Sequence, residues 1–507
     1  MLPLRSLLPV LGLALLAAPA RATWSIVVVN TRTGEAAVAS ATCIDGFDLQ
    51  KVLPVVVPGL GAAAAQSVID SSGNNRRRIW DELQQGADPQ AILARLAAHD
   101  TQHQKRQYGI VDFGHFPLSF TGTQCSDAKY SIAGVSDDLR YAIQGNILVG
   151  VLPLYAAEDA LLSTQGDLSQ KLIAAMEAAR AAGGDGRCSC NEFAPTSCGA
   201  PPPSFTYSSY TCFLVVSRMG DAPGGCDTLN GCAAGDYYLD INVVSGPGGP
   251  EPVLFLESHY AGWRNAMHGV ADAIRSVVRP SAQSLPADGA TRATVDVELR
   301  DLEGGAVTLP SDLTLELDPA SPDLALGPVE AQGGARYRFA LGAGLATGTA
   351  RVRMIAHHGT RRVRLWPDLV LTLEPAQGFA CGYEALPAAQ GALVPLVANL
   401  GAAHAGAPYL MLASASGTQP GTPFGGTQVP LNADALFWSS VTGANGPRWV
   451  NTAGVLGPNG RAQGTWVVPP LALSAAVGQR IDFAALKLAS ASGPAFATNT
   501  DGLLVVP

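Results

Sequence analysis

The residue with the clearest chemical potential is Thr23, because it directly follows a segment that has the features of a secretory signal peptide. Arg5 supplies the positive start of that segment, and an apolar stretch covers 7–20. The Ala-Arg-Ala tripeptide at 20–22 has the small-x-small pattern that signal peptidase cleaves. The apolar stretch is short and interrupted by prolines, which favours a cleaved signal over an uncleaved membrane anchor. Cleavage after residue 22 makes Thr23 the first residue of the mature chain.

A threonine at a chain terminus carries its own base. Its hydroxyl is a weak nucleophile, but the free α-amino group beside it has a reference pKa of ~7.7–8.0, so a fraction of it is neutral and able to act as a base near neutral pH. The amine can accept the hydroxyl proton, directly or through a water molecule, and later return it to a leaving amine. Thr23 is therefore a candidate nucleophile for amide hydrolysis, although many secreted proteins begin with threonine and catalyse nothing.

Other catalytic patterns are weaker. His259 and His268 do not form the H-E-x-x-H pattern of a zinc protease, and the first domain has no G-x-S-x-G nucleophile elbow. Zinc binding by the cysteines at 188, 190 and 198 is an alternative, but the C-x2-C pairs typical of zinc ribbons are absent. The sequence therefore predicts no metal ion and no cofactor.

Composition favours a secreted protein of several domains. A chain of 507 residues is too long for one ordinary core, so we expect two to four domains. Only 14% of the residues are charged, while 56 glycines and 36 prolines favour short strands and turns. The net charge is −9, and losing the two positive charges at 5 and 21 gives −11. Neither value suits a nucleic-acid partner, which needs a basic face.

Cysteines are concentrated in the first half of the chain. Eight lie there, at Cys43, Cys125, Cys188, Cys190, Cys198, Cys212, Cys226 and Cys232. In an oxidising compartment most of these are expected to form disulfides, and those from 188 to 232 are expected to staple a cysteine-rich insert over 188–235. The pairing cannot be deduced from the sequence. The ninth cysteine, Cys381, is either free and buried or paired between chains.

The chain divides into three parts after the signal peptide. The first, 23–280, opens with a hairpin of apolar strands at 24–29 and 36–42, so Thr23 begins a strand. Helices at 77–85, 88–98, 167–182 and 257–278 and strands at 108–112, 118–121, 141–144, 213–217 and 237–244 predict an α+β layered domain. A linker at 281–291 follows. Period-two alternation over 292–374 then predicts an immunoglobulin-like β-sandwich, and 375–507 is a β-rich module.

Several ordered motifs of the first part resemble a bacterial and archaeal family, domain of unknown function 1028. The motifs are Thr-Trp-Ser-Ile-Val at 23–27, the small and apolar run at 36–40, Asp100, Arg-Gln-Tyr-Gly-Ile-Val-Asp at 106–112, Phe-Thr-Gly at 120–122, Tyr-Ala-Ile-Gln-Gly-Asn-Ile-Leu at 141–148, and Ala-Gly-Gly-Asp at 182–185 with Arg187. The resemblance covers about 23–280. It implies an N-terminal-nucleophile (Ntn) hydrolase fold, an αββα sandwich in which Thr23 becomes the first residue after processing. The insert that follows Arg187 departs from the family pattern.

The end of a predicted strand suggests where a substrate pocket lies, because site residues commonly project there and Gly145 lets a backbone approach closely. We expect Asn146 to be catalytic as an oxyanion-hole donor, with Gln144 and Gly145 beside it, and Thr121 and Gly122 to form a second wall. An equally simple interpretation is that Asn146 only turns the chain.

Two function classes stay open. One is an exported amidohydrolase that acts on an unidentified amide-containing substrate. The other is a non-catalytic binding or scaffold protein at the cell surface. The β modules carry no catalytic pattern and are expected to act as spacers or to attach the protein to the cell envelope or matrix. A homo-oligomer also stays open.

Overall fold

A computed structural model describes residues 23–287, 291–344, 346–374 and 378–507. The chain divides into two compact units, the first ending at Met267 and the second beginning at His268. The first is a mixed α/β unit and the second is β-rich, which confirms the predicted fold class at that level. The predicted signal peptide, 1–22, lies outside the described residues.

The first unit contains ten strands and six helices among its described residues. The strands are β1 (Thr23–Asn30), β2 (Glu35–Thr42), β3 (Pro54–Val57), β4 (Gly61–Ser67), β5 (Arg106–Asp112), β6 (Leu118–Thr121), β7 (Tyr130–Ser136), β8 (Leu139–Asn146), β9 (Thr211–Ser217) and β10 (Leu239–Val244). The helices are α1 (Asn74–Gln84), α2 (Pro89–His99), α3 (Leu152–Ser163), α4 (Leu168–Ala181), α5 (Gly186–Ser189) and α6 (Pro252–Ala266). A six-stranded sheet has the order β10-β9-β2-β1-β8-β7, and a four-stranded sheet has the order β3-β4-β5-β6.

Three apolar cores hold these elements in four layers. Trp24, Ile26 and Val28 on one face of β1 pack in a core with α3, α4 and α6. Val27 and Val29 on its other face pack against β3, β4 and β5 of the smaller sheet. The far face of the smaller sheet is covered by α1 and α2. Because β1 is buried on both faces, its run of apolar residues need not alternate with polar ones.

Local signals explain two helices that the sequence predicts well. The side chain of Asp88 accepts a hydrogen bond from the Gln90 backbone at the start of α2, and Pro89 occupies the first turn. At α4, Asp167 and Gln170 form a reciprocal capping box. Both helices therefore begin within one or two residues of the predicted positions.

The predicted helix over 257–278 is wrong at both ends. The helix is α6, which begins at Pro252 after Glu251, whose side chain accepts a hydrogen bond from the Leu254 backbone. This acidic cap followed by proline is a start signal that the apolar pattern obscured. The chain leaves the helix after Ala266, and Gly269 has a positive φ of 76°.

The boundary between the units also lies earlier than the predicted position at 280. Residues Val277–Pro280 form β11, which pairs antiparallel with β13 (Arg292–Glu298) of the second unit. Part of the predicted linker at 281–291 is a strand as well, because β12 (Ser284–Pro286) pairs in parallel with β20 (Leu369–Glu374). Hydrogen bonding in these sheets therefore places both strands in the second unit, which begins at His268.

Six cysteines form three disulfides, which are typical of a protein outside the reducing cytoplasm. The pairs are Cys43–Cys188, Cys190–Cys198 and Cys226–Cys232. The cysteines proposed as a zinc alternative are thus all in disulfides. Cys212 does not staple the insert, because it lies buried on β9 in the larger sheet, and this strand divides the predicted insert into two loops. Cys125 is also free and buried, and Cys381 is free and half-buried.

Thiol counting should find three free thiols per chain under denaturing, non-reducing conditions, and nine after reduction. The three are the free cysteines at 125, 212 and 381. Reaction with a chromogenic disulfide reagent in guanidinium measures both numbers, and peptide mapping identifies the pairs. Nine free thiols without reduction would contradict the disulfide assignment.

Among its described residues, the second unit contains strands β11 to β32 and one α-helix. Besides β11, β12, β13 and β20, its elements are β14 (Asp312–Leu317), β15 (Leu324–Leu326), β16 (Glu330–Gly333), β17 (Arg336–Ala343), β18 (Gly348–His358), β19 (Arg361–Arg364), β21 (Phe379–Cys381), β22 (Ala385–Pro387), β23 (Ala392–Asn399), β24 (Pro408–Ser414), β25 (Thr422–Phe424), β26 (Thr427–Val429), α7 (Ala435–Thr442), β27 (Trp449–Val450), β28 (Ala453–Val455), β29 (Arg461–Val468), β30 (Arg480–Lys487), β31 (Phe496–Ala497) and β32 (Asp501–Val506).

The two larger cores among the described residues of this unit define two sandwich-like modules, and a smaller core includes residues of α7. One core joins the sheets β11-β13-β17-β15 and β12-β20-β18-β14 through residues such as Phe339 and Leu371. The other joins β21-β23-β29-β27 and β22-β32-β30-β24-β28 through residues such as Trp466 and Phe483. The short helix α7 is an addition that the strand pattern did not predict. Of the helices in the described ranges, none has the length and apolar character needed to span a membrane.

Candidate functional site

The candidate nucleophile lies at one end of the larger sheet, in a row of polar residues on neighbouring strands. Thr23 at the start of β1 is opposite Asn146 at the end of β8. Its hydroxyl oxygen lies 3.4 Å from the hydroxyl oxygen of Thr42, the last residue of β2. Thr42 is in turn opposite Thr211 at the start of β9. Each of these four residues is at most 1% exposed.

The side chains of this row face the smaller sheet. Val27 and Val29 of β1 pack between the two sheets, and side chains alternate along a strand, so Thr23 and Ser25 point the same way. By the same alternation from Val38, Thr42 shares that face. The space between the ends of the two sheets therefore brings these hydroxyls together.

Glutamine side chains from the smaller sheet fill this space and hold the start of β1. The amide nitrogen of Gln66 donates to the backbone carbonyl of Thr23 and to the side-chain oxygen of Gln107, each at 3.0 Å. The Gln66 side-chain oxygen accepts from the Ser25 hydroxyl at 2.5 Å. A buried amide is stabilising only where such partners are present. Gln66 thus fixes the backbone of the candidate nucleophile from the opposite sheet.

Gln107 joins the two predicted pocket walls. Its amide nitrogen donates to the Thr121 hydroxyl and to the Gly145 carbonyl, both at 3.0 Å. The Gln144 amide donates to the Ser25 hydroxyl at 2.5 Å. The structure therefore brings Thr121, Gln144, Gly145 and Asn146 to the end of the sandwich where Thr23 lies.

The two predicted glycines have packing explanations of their own. A Cβ atom on Gly145 would lie 2.7 Å from the Leu148 side chain, so this glycine makes room for that leucine. A Cβ atom on Gly122 would collide with the backbone carbonyl of Gln104. Packing therefore accounts for both glycines, and their place in a substrate pocket stays a prediction.

A short segment after α4 connects the ends of β2 and β8 beside this site. Asp185 is fully buried, and its carboxylate accepts hydrogen bonds from the Cys43 backbone at 2.8 Å and from the Arg187 guanidinium at 2.9 Å. The Gly186 backbone donates to the Ile147 carbonyl at 3.1 Å. The disulfide from Cys43 to position 188 adds a covalent connection. This segment holds the strand ends that flank Thr23.

Sequence reasoning missed Ser25, Thr42, Gln66 and Gln107 as site residues. Each is a polar residue near the end of a mostly apolar strand, where an unpaired side chain would be costly to bury. That signal was available for Gln66, which follows four alanines. The partners themselves lie on other strands and could not be assigned from spacing.

An ion pair supports the start of β5 next to Gln107. Asp100 accepts from the Arg106 guanidinium at 2.8 Å and from the Asn75 amide at 2.6 Å. Burial raises the pKa of Asp100, but the hydrogen bonds from Arg106 and Asn75 outweigh this effect and lower the pKa to about 2. The pair is nearly buried, with 8% of the Arg106 and 11% of the Asp100 side chain exposed.

Replacing Asp100 with asparagine should lower the free energy of unfolding at pH 7 by about 3 kcal/mol, the low end for breaking a largely buried pair. Because the folded pKa of Asp100 is below its unfolded value, the stabilisation is present above pH ~4 and is lost as the pH falls toward 2. Urea unfolding of parent and Asp100→Asn chains at pH 7 and pH 2.5 should therefore show a difference that shrinks in acid. An equal difference at both pH values would contradict this account. The exposed pair of Arg338 and Asp296 gives a control, because solvent screens it and Asp296→Asn should change stability far less than Asp100→Asn.

The fold and the site define the first unit as a mixed α/β domain whose two facing sheets enclose a buried cluster of hydroxyl and amide groups. Residues 23–191 match the sequence model of a family of unknown function, DUF1028. The predicted resemblance to this family is thus confirmed over that segment. The match ends where the cysteine-rich loops begin, short of the predicted limit at 280.

Solved structures that resemble this chain do so distantly. The protein SPO2555 from Silicibacter pomeroyi, which carries the family name DUF1028, is 19% identical with a TM-score of 0.35, over 48% of this chain and 85% of that chain. The adhesin InvE of Yersinia pseudotuberculosis is 17% identical with a TM-score of 0.20, over 45% of this chain and 58% of that chain. The Escherichia coli adhesin FdeC is 10% identical with a TM-score of 0.21, over 96% of this chain and 97% of that chain. No curated protein matches the chain.

Proposed function

We propose that the first unit is an N-terminal-nucleophile amidohydrolase in which Thr23 cleaves the amide bond of an unidentified substrate. The observation that carries the proposal is the position of Thr23 at the start of a central strand, opposite Asn146 and in contact with Thr42. The four-layer order of helices, two sheets and helices supports an Ntn-hydrolase-like fold. Removal of residues 1–22 supplies the free α-amino group that this chemistry needs.

The reaction follows from the groups at the terminus. The α-amino group takes the hydroxyl proton as the Thr23 oxygen attacks the amide carbon, and a tetrahedral oxyanion forms. The oxyanion collapses to an ester on Thr23, the carbon–nitrogen bond breaks, and the leaving amine takes the proton. Water then hydrolyses the ester and restores the threonine. In this proposal Asn146, on the strand next to Thr23, donates to the oxyanion.

A scaffold without catalytic activity is the second candidate, and burial is the observation that favours it. Thr23 is 1% exposed, while Gln66 is 1% exposed and Gln107 and Gln144 are fully buried. A sealed polar cluster of this kind can have a purely structural role, which is to fix the packing of the two sheets. The two candidates differ in whether Thr23 reacts with a small electrophile.

The mature chain should begin at Thr23. Intact mass spectrometry of the exported protein, followed by N-terminal sequencing, measures this directly. The motivation is the signal-peptidase pattern at 20–22 and the strand that starts at the next residue. A chain that retains residues 1–22, or one cut several residues away, removes the terminal amine and contradicts the proposed mechanism.

Labelling of the mature protein with a β-lactone, which acylates nucleophilic hydroxyl groups, should place one adduct on Thr23. Peptide mapping by tandem mass spectrometry locates the adduct. Thr33 is a suitable internal comparison, because it is a buried threonine at the opposite end of the same hairpin, and its hydroxyl donates to Glu35 at 2.8 Å. Absence of any adduct on Thr23 in the mature protein would favour the scaffold.

Attachment to the cell envelope or matrix through the two β modules stays a prediction, as does a homo-oligomer. The three disulfides support residence outside the cytoplasm, and export by a cleaved signal peptide is the proposed route. Binding of the secreted chain to cell-wall or matrix preparations, compared with the same chain after heat denaturation, would test attachment.

A further inference from the structure

Three threonines form a row across three neighbouring strands. Thr23, Thr42 and Thr211 lie on β1, β2 and β9, which are adjacent in the larger sheet. All three are at most 1% exposed, and side-chain alternation turns all three toward the smaller sheet, because Val27, Val38 and Phe213 on the same strands pack there. Their hydroxyls therefore share one buried strip at the end of the sandwich.

The hydroxyl of Thr211 lacks a hydrogen-bond partner among the described residues. Its oxygen is buried. The hydroxyl oxygen of Ser209, two residues earlier, is also buried without a hydrogen-bond partner among the described residues. An orphaned buried hydroxyl is destabilising, so such groups in proteins are commonly satisfied by an internal water. Position 211 is directly opposite Thr42, and both side chains lie on the same face of the sheet, so the two residues are neighbours.

We propose that Thr42 assists the reaction by donating a hydrogen bond to the Thr23 oxygen as that oxygen loses its proton, and that Thr211 positions Thr42 through a shared buried water. The inference rests on the proposed function of Thr23. In the structure the Thr23 hydroxyl donates to Thr42 at 3.4 Å. A hydroxyl can rotate to exchange the donor and acceptor roles, so Thr42 can become the donor without moving its backbone.

The proton count stays balanced under this proposal. The Thr23 proton passes to the α-amino group, while Thr42 keeps its own proton and only reverses the direction of the hydrogen bond. The water on Thr211 then donates to the Thr42 oxygen. Thr42 stabilises negative charge on the Thr23 oxygen, so its contribution appears in the chemical step rather than in substrate binding.

Thr42→Val and Thr42→Ser test the donor, because valine keeps the shape and loses the hydroxyl, whereas serine keeps the hydroxyl. We expect Thr42→Val to lower kcat and the rate of β-lactone labelling at Thr23 by about 10²-fold, with KM changed less than about threefold. Thr42→Ser should stay within about fivefold of the parent in both rates. Thr211→Val should lower both rates by about 5–20-fold, since it acts through Thr42.

Thr33→Val is the matched control, because it removes a buried hydroxyl at the far end of the same hairpin. It should label at the parent rate. Parent-rate labelling of a folded Thr42→Val chain would overturn the role of Thr42. If Thr42→Val does not fold, Thr42→Ser provides the test. A loss of labelling well beyond about fivefold in Thr42→Ser, with its fold intact by circular dichroism, would then overturn the role of Thr42.

A crystal structure of the mature parent chain provides the measurement that does not depend on activity. We expect one ordered water within hydrogen-bond distance of the Thr211 hydroxyl and shared with Thr42. A dry site at high resolution would overturn the positioning role of Thr211. Failure of the proposed function is recognised separately. In that case the parent is not labelled at Thr23, and Thr23→Ala does not change any hydrolysis that the parent shows.

Discussion

Replacing Thr23 with alanine is expected to reduce hydrolysis by at least about 10³-fold, the largest effect of any substitution in the first unit. The reason is that alanine keeps the terminal amine and the strand but removes the oxygen that attacks the amide carbon. A panel of chromogenic anilides and activated esters measures the loss, with kcat and KM determined for any compound that the parent hydrolyses. Binding of the same compounds should be retained, because the change removes only the reacting group.

Thr23→Ser and Thr33→Val are the matched variants. Serine keeps a hydroxyl on the terminal residue and should retain part of the activity, whereas Thr33→Val changes a buried threonine distant from the reacting end and should behave as the parent. Because a substitution at 23 adjoins the predicted cleavage site, intact mass must show that each variant begins at position 23. An active, correctly processed Thr23→Ala chain would refute Thr23 as the nucleophile and with it the proposed mechanism.

The elements that the sequence predicted correctly are those whose signals are local. The hairpin of β1 and β2 follows from two apolar runs around Thr33 and Gly34, and Gly34 has a positive φ of 72° in the turn. The helices α2 and α4 carry their own caps at Asp88 and Asp167. None of these signals requires knowledge of a distant residue.

Elements decided by distant contacts were missed or misplaced. The run Gly61–Ser67 is rich in alanine, which favours helices, yet it forms β4 because it pairs with β3 and β5 between two layers. Residues 277 and 278 were predicted to end a helix, whereas they begin strand β11 (Val277–Pro280), whose hydrogen bonds go to β13 of the second unit. In each case tertiary pairing decides the structure and intrinsic propensity does not.

The candidate site shows the same division. The positions of Thr23 and Asn146 could be proposed from a cleavage pattern and a family resemblance. The two residues are adjacent because of the register of β1 with β8. They are more than a hundred residues apart in the chain, so the sequence alone cannot reveal that register. The contacts that hold Thr23, above all the one from Gln66, depend on how the smaller sheet packs against the larger one. Sequence therefore predicted the chemistry of the terminus but not the groups that position it.

Asn146→Asp and Asn146→Ala are expected to lower kcat by about 10²–10³-fold, the second largest effect, because each removes an amide donor aimed at the developing oxyanion. Aspartate keeps the size of asparagine and replaces the donor with an acceptor, so it should be at least as harmful as alanine. The loss should appear in kcat rather than KM, since the oxyanion exists only in the transition state and the intermediate. β-Lactone labelling at Thr23 should slow in parallel, because acylation passes through a similar oxyanion.

Asn242→Ala separates this role from a general effect of losing an asparagine from the same sheet. Asn242 lies on the edge strand β10, and its amide donates to Asp48 at 2.9 Å at an exposed position. Its replacement should leave kcat unchanged. The alternative explanation, in which Asn146 only turns the chain after β8, predicts the opposite balance for Asn146→Ala: a lower free energy of unfolding in urea with kcat close to that of the parent. Measuring kcat and the free energy of unfolding on the same preparation decides whether Asn146 is a donor to the reacting oxygen or a turn residue. Residue 146 is fully buried, so replacing it should have a detectable effect in either role.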